Sequence, residues 1–393
     1  KKYHQARYVS PFQTNACMEP LNAVAHHNGY KVEIWAGTQS PKLTRNRIAE
    51  LCQLPEAAVI VHNQPSGGGF GRRFFVDYVE EAVILSEKLR RPVKVTWSRE
   101  DDIQTNKYHP LRVEFWEAAL DENNYPIALS HHGVVQGPSG FRPYPYALPL
   151  LYHPYLRYKE GDLLPRSSWR SVGAHPWGLG LESFIDELAH LAKKDPVEFR
   201  LELLRKNDQP LPQKFEPWVG DEFYPEKMIQ TLELAAEKAK WGQKLSPGIF
   251  QGVSAMGYNT SYCAQVADIS VSQGKVKVHK VTAAIHCGLA VNPSQVKSQV
   301  EGSIIWGLSA LMKDPIRVRN GRVEQDNFHQ YDLLRMPEAP EIEVYIVDSE
   351  EHPTGVGEPA VPGVAPAVLN ALYQATGIRW RELPLRLEEG KET

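Results

Sequence analysis

The stretch Gly67-Gly68-Gly69-Phe70-Gly71-Arg72-Arg73 limits the fold of this chain more than any other. Glycine has no Cβ, permits positive φ and leaves backbone N–H groups bare, so this run belongs in a tight loop rather than inside a helix or strand. Downstream, Val79, Ala82, Val83, Ser86 and Leu89 recur at helical spacing. That spacing predicts a helix with the loop at its N-terminus, where unpaired N–H groups and the dipole favour an anion. Known nucleotide loops fit poorly: a P-loop ends in Gly-Lys-Ser/Thr and a dinucleotide fingerprint reads G-x-G-x-x-G, whereas Gly67, Gly69 and Gly71 are separated by single residues. Two readings stay open from these residues alone, a structural turn and a ligand cradle.

Composition excludes more than it names. At 393 residues and 42% hydrophobic, the chain has room for two or three domains with cores of their own and reads as soluble and globular. No window approaches the ~20 apolar residues of a membrane span, and the start KKYHQARYVS has no signal-like apolar core. With 44 Lys+Arg against 47 Asp+Glu, the net charge is -3, and no long basic run points to nucleic acid. Cys17, Cys52, Cys263 and Cys287 contain no C-x-x-C pair to nucleate a zinc or iron–sulfur site, so no metal-ligand set is assigned. They read as buried small hydrophobes.

Along the chain, helices and strands mix without the strict alternation of a doubly wound sheet, which predicts an α+β fold. KVEIW alternates as a strand, and Ser40-Pro41 opens a helix to about Gln53 with proline at its first position. Hairpins are predicted over 111–136, over 266–285 around Gln273-Gly274, and at Asn320-Gly321. Leu181, Phe184, Ile185, Leu188 and Leu191 share one helical face up to Ala192, and Asp195-Pro196 with Glu198 opens another helix as a capping box. The Pro-rich and acidic stretch 206–227 is the best connector, dividing the chain into 1–205 and 228–393. The adjacent pairs His26-His27 and His131-His132 diverge in a strand and read as surface or second-layer residues, while His286-Cys287 reads as packed core.

A second glycine constellation stands near the end, HPTGVGEPAVPGVAPAVLNALYQATG. Gly355 and Gly357 strip the backbone around Glu358, Pro366 is placed to start a helix, and Gly377 to end it. Glu358 is either a surface carboxylate in a Pro/Gly loop or a general base delivered to a buried centre.

Six motifs occur in one order: CMEPLNAVA, GGGFGRR with DYVEEAV, WRSVGAHPWGLGLESFIDELAH, CGLAVNPSQVKSQVEG, NFHQYDLLR and GVGEPAVPGVAPAVLNA. Together they resemble the molybdopterin-binding large subunit of the xanthine dehydrogenase/aldehyde oxidase family, in its isoquinoline 1-oxidoreductase-like branch. The resemblance implies molybdopterin-binding domains built of mixed sheets with packed helices. It implies that Gly68, Gly69, Phe70 and Gly71 lie beside the molybdenum cofactor, with Phe70 walling the active site; Arg170 and Gly357 join them there. Arg170 would stabilise negative charge on a substrate, and Glu358 would be the base. Ser261, in the loop GYNTSY, is assigned to the cofactor, and Val172 to the substrate pocket beside Phe70.

Three departures from the family pattern matter. Asn15 stands where relatives carry His, Val172 stands where purine hydroxylases carry Phe, and no GQG-Thr motif occurs. That last absence implies an N-terminal portion of the large subunit as a partner. The resemblance further implies a molybdenum–molybdopterin cofactor in its cytosine dinucleotide form, a [2Fe-2S] cluster in a separate small subunit, and a cytochrome c-type acceptor. It points to the bacterial periplasm. The expected activity is insertion of water-derived oxygen at a carbon of an N-heteroaromatic or aldehyde; the alternative is a catalytically silent cofactor-binding or scaffolding polypeptide.

Overall fold

A computed structural model describes residues 2–135, 145–146, 151–152, 155–157, 164–206, 211–212 and 222–387. Among the described residues, three mixed sheets of four or five strands, two two-stranded pairs and packed helices make up the α+β architecture. In the first, Lys2–Ser10 pairs with Arg112–Leu120, which pairs with Pro126–Val135 as the hairpin expected around DENNYP. In the second, Asn22–His27 and Val32–Ala36 are flanked by Val59–Asn63 and Val93–Thr96, and helices Pro41–Cys52 and Asp77–Leu89 pack on them. The third runs Phe250–Tyr258, Ser261–Ser272, Lys275–His286 and then, in parallel, Glu341–Ile346.

Turn chemistry sets two of the hairpins. Gln273 and Gly274 (φ 49° and 67°), and Asn320 and Gly321 (φ 50° and 75°), hold the double positive φ of a type I′ turn. Helix Pro196–Arg205 starts where expected, with the Asp195 side chain accepting from the N–H groups of Val197 and Glu198. Of each histidine pair one ring is interior and the other half-buried: His27 is buried beside His26, and His131 is buried and stacks on Trp116 with centroids 3.8 Å apart beside His132, which fits the second-layer reading rather than the surface one. His286 and Cys287 are packed core, as expected.

Two helices begin earlier than their sequences suggest. The one expected from Leu181 runs Ala174–Ala192, and the one expected from Pro366 runs Val361–Thr376 with Pro366 inside it and Gly377 as its left-handed cap. They cross where Gly178 meets Pro362, so closely that a Cβ on Gly178 would lie 2.7 Å from Pro362 Cβ. Helix Pro293–Met312 reaches the same place through Gly307, whose Cβ would lie 2.4 Å from Val364 Cγ1. The crossing therefore holds three helices together just beyond the segments that carry Arg170 and Glu358.

The division at 206–227 does not separate two cores. Trp177, Phe184 and Leu188 share one apolar cluster with Val253, Met256 and Tyr262, because helix Ala174–Ala192 lies between the first and third sheets. Within the connector itself, 207–210 and 213–221 lie outside the described residues.

Candidate active site

The glycine loop is held from below by residues of distant segments and by its own two arginines. The Gly67 N–H donates to Glu19 Oε2 at 2.6 Å and the Gly71 N–H to Gln39 Oε1 at 3.0 Å. Its carbonyls are taken from the inside: Arg73 Nε reaches Gly68 O at 2.7 Å, the Arg72 N–H reaches Gly69 O at 2.8 Å, and Asn15 Nδ2 reaches Phe70 O at 2.7 Å. Glu19, the acidic residue of the MEP motif, also accepts from Arg73, while Arg72 binds both carboxylate oxygens of Asp77. Cys17 adds its thiol to Gly69 O, and burial pushes that thiol up to about 12, which leaves it unreactive near neutral pH.

These contacts revise why the loop is glycine. A Cβ on Gly71 would lie 2.0 Å from Ser168 O, and one on Gly69 would lie 2.5 Å from Gln39 Oε1. Both positions are stripped to let protein atoms approach; Gly68 is left-handed at φ 96°. Nor does the loop end at a helix N-terminus. The helix starts at Asp77, after a 3₁₀ turn over Arg72–Phe74, and Arg72 occupies the Asp77 carboxylate in its first turn. What the loop does offer is the N–H groups of Gly68, Gly69 and Phe70, which have no partner among the described residues. Three consecutive free amides beside an inward-bonded backbone can donate to an anionic or carbonyl-bearing ligand.

Asn15, fully buried, ties this loop to the next: besides Phe70 O it donates to Ser168 O at 3.0 Å. In the segment that follows, Arg170 is buried and committed. Its Nε donates to Gly357 O at 2.6 Å and its Nη2 to Gln299 O and Oε1 at 3.1 and 2.9 Å. Burial lowers its guanidinium to about 10 against the opposing pull of Glu358, so it stays charged at neutral pH. Its Nη1 has no hydrogen bond among the described residues and lies 3.4 Å from where a Gly302 Cβ would stand. Ser171 and Val172 are both left-handed, at φ 74° and 46°. For a β-branched valine this is a strained state, costing on the order of 1–3 kcal/mol.

That strained pair faces Glu358. The Ser171 N–H donates to Glu358 Oε1 at 2.8 Å and its hydroxyl to the Glu358 carbonyl at 2.7 Å. From the other side, Asn259 Nδ2 donates to Glu358 Oε2 at 3.0 Å. Asn259 and Thr260 form the turn between Phe250–Tyr258 and Ser261–Ser272, with φ 51° and 60°. Gly355 is bare because Asn259 is there: a Cβ on it would lie 3.1 Å from Asn259 Cβ. Phe70 stacks on Trp306 at 4.1 Å, with the Arg170 guanidinium 5.8 Å from its ring. Val172 is 39% exposed, at the edge of this cluster.

Of the residues expected at the site, Gly68, Gly69, Phe70, Gly71, Arg170, Val172, Gly357 and Glu358 come together. Ser261 sits beneath them, fully buried, its hydroxyl 2.6 Å from Thr354 Oγ1. The GYNTSY loop reaches the cluster through Asn259 instead. Sequence reasoning missed Asn259, Gln299, Gln39 and Trp306. Gln299 lies inside one of the six motifs, but Asn259 carries only the Asn-Thr turn as a signal.

The class of protein is a molybdopterin-binding subunit, on matches that cover most of the chain. Two matches to the molybdopterin cofactor-binding domain family span residues 1–141 and 184–340. The chain is 32% identical to the membrane-bound aldehyde dehydrogenase [pyrroloquinoline-quinone] of Gluconacetobacter polyoxogenes over 94% of its own length and 51% of the relative's. It is 30% identical to a nicotinate dehydrogenase subunit of Pseudomonas putida, covering 97% and 34%, and 29% identical to the beta subunit of isoquinoline 1-oxidoreductase of Brevundimonas diminuta, covering 94% and 48%. Among solved structures, quinoline 2-oxidoreductase from Pseudomonas putida 86 superposes with a TM-score of 0.84 over 98% of this chain and 75% of that one, at 14% identity. The chain belongs to the molybdopterin-binding large subunits of the xanthine dehydrogenase/aldehyde oxidase family, the molybdenum hydroxylases. It spans about half the length, or less, of these three curated relatives.

Proposed function

We propose that this chain forms the catalytic pocket of a molybdenum hydroxylase, in which Glu358 is the general base for inserting water-derived oxygen at a carbon of an aldehyde or N-heteroaromatic ring. The observation that carries the reading is the clasp on Glu358: both carboxylate oxygens are held, by Ser171 and Asn259, on a loop whose preceding carbonyl is gripped by Arg170. A carboxylate fixed in this way has one orientation in which to take a proton. When bound, the molybdenum cofactor supplies the electron sink and the activated oxygen.

The chain's own residues do the rest. The free N–H groups of Gly68, Gly69 and Phe70 hold the cofactor by hydrogen bonds, and Gly71 keeps the loop against Ser168. Phe70, stiffened by Trp306, and Val172 bound the substrate and exclude water, while Arg170 contributes fixed positive charge through its free Nη1. Ser261 supports the cofactor side from below by holding Thr354 at the base of the loop. The cytosine dinucleotide form, a [2Fe-2S] small subunit, an N-terminal portion of the large subunit and a cytochrome c-type acceptor complete the proposed assembly. What supports the partners is that relatives are named as subunits and are longer than this chain. One relative's name carries pyrroloquinoline quinone. A quinone tricarboxylate calls for several cations, whereas the guanidinium groups around this loop already have partners: Arg72 on Asp77, Arg73 on Gly68 and Glu19, and Arg170 on Gly357 and Gln299.

Glu358→Gln in the complete enzyme tests the assignment. Asn259 can turn its amide to meet the new side chain, so the loop should persist and molybdenum should be retained. Turnover should fall by at least the ~10² to 10⁴ of general-base catalysis. Near-normal turnover at full metal loading refutes it.

A further inference from the structure

Ser171 and Val172 hold left-handed backbone conformations that only over-determined surroundings sustain. Part of that constraint is local, with the Val172 N–H on Trp169 O at 2.6 Å and the Ala174 N–H on Ser171 O at 2.9 Å. Beyond the Ser171 bonds to Glu358, a further contact from elsewhere in the fold falls on Val172, whose carbonyl lies 3.0 Å from Nε2 of His109. A carbonyl can only accept, so that nitrogen carries the ring proton. The imidazole is 2% exposed, its Nδ1 is buried without a partner, and its ring stands edge-on to Trp169 at 5.8 Å. Its backbone is anchored independently, paired in both directions with Gln13 at 2.8 and 3.3 Å. Here a buried polar ring leaves one nitrogen unsatisfied and directs the other at the carbonyl of a strained residue, two positions from the Arg170 side chain. A phenyl group would fill the same space without either nitrogen.

We propose that His109 is a positioning residue: its Nε2–H pins the Val172 carbonyl, keeps Ser171 and Val172 left-handed, and thereby keeps the Ser171 N–H on the Glu358 carboxylate. The proposal rests on the reading of Glu358 as the base. His109 touches none of the reacting atoms and acts through the loop alone.

The test compares His109→Phe, which removes the donor, with His109→Gln, whose amide nitrogen reaches about as far as Nε2, in the complete enzyme. Amide hydrogen exchange at Ser171, melting temperature, molybdenum content, kcat and KM are read together. In His109→Phe, exchange at Ser171 should quicken at least tenfold and kcat should fall at least tenfold with KM little changed, while metal content and melting stay near wild type. His109→Gln should restore both. If the phenyl group does not fit and the protein fails to fold, His109→Leu replaces it with the same expectation. Unchanged exchange at Ser171, or a glutamine that fails to rescue it, overturns the clamp. Faster exchange rescued by glutamine but with turnover untouched leaves the clamp standing and refutes the role of Glu358 instead.

Discussion

At the scale of single residues, the site is shaped by what glycine leaves out, and the neighbours that fill the space are protein atoms. Gly71 and Gly29 make the contrast measurable. Both are left-handed, at φ 102° and 94°, but a Cβ on Gly71 would lie 2.0 Å from Ser168 O whereas one on Gly29 would meet nothing within 4 Å. Gly29→Ala should therefore cost only the backbone term, about 1 kcal/mol, and Gly71→Ala should cost several times that and release the cofactor, because the loop must leave Ser168. Urea unfolding of the two variants, with molybdenum analysis, checks this; equal losses would contradict it. From sequence alone, the glycines were readable as bare backbone but not as to what approached it. Gln39 and Ser168 come from distant segments and nothing in the local pattern points to them, while Asn15 stood out only as a departure from the family pattern. Phe70 was placed by the family resemblance and Glu358 was marked as a candidate by its flanking glycines, while Asn259 was not, since its contact depends on the hairpin turn meeting a loop almost a hundred positions later.

At the scale of elements, hairpins were readable because their turns need specific chemistry, and two helix starts were not, for the opposite reason. Pro176, Gly178 and Gly180 look like breakers before Leu181, yet Pro176 falls in the first turn, where its missing N–H costs nothing. Gly178 and Gly180 admit Pro362, Glu114 and Trp116 at close range. Helix Ala174–Ala192 also carries three buried carboxylates, Glu182, Asp186 and Glu187, each paired with an arginine: Arg200 at 2.9 Å, Arg379 at 2.7 Å and Arg381 at 2.7 Å. Although burial pushes the Glu187 carboxyl up, His4, Arg381 and Tyr8 hold it at about 2. Against the turn before the helix and at its start, burial lowers His109 to about 4 and His175 to about 3. Unfolded imidazoles titrate near ~6.5, so below that pH the unfolded chain binds more protons than the folded one. Stability should therefore fall as pH drops from about 6.5 to about 4, by roughly 1.4 kcal/mol per pH unit for each ring. Glu187 should add its own loss below about 4, as its ion pair is protonated apart. Urea midpoints at pH 7.5, 5.5 and 4.5 measure this; a flat profile across that range would contradict the burial of both rings.

At the scale of the whole molecule, the crossing of three helices at Gly178, Gly307 and Pro362 places Arg170, Gln299 and Glu358 side by side, although they lie far apart in the chain. That convergence was outside the reach of sequence periodicity, which sees one element at a time. Packing across the expected connector at 206–227 was hidden for the same reason, since helix Ala174–Ala192 shares one core with residues from both sides of it. The order of the six motifs did carry the family, because five of them mark segments that this convergence uses: the glycine loop, its MEP support, the strained turn after Trp169, the helix with Gln299 and the GVGE loop. The central claim is that the three free amides of Gly68, Gly69 and Phe70, with Glu358 across from them, hold and serve a molybdenum–pterin group. Its most direct test is metal, pterin and quinone analysis of the enzyme carrying this chain, purified after growth on molybdate and on tungstate. The account predicts molybdenum and pterin near one per chain, no quinone, and activity lost in the tungstate-grown protein; full activity without molybdenum, or stoichiometric quinone in its place, would contradict it.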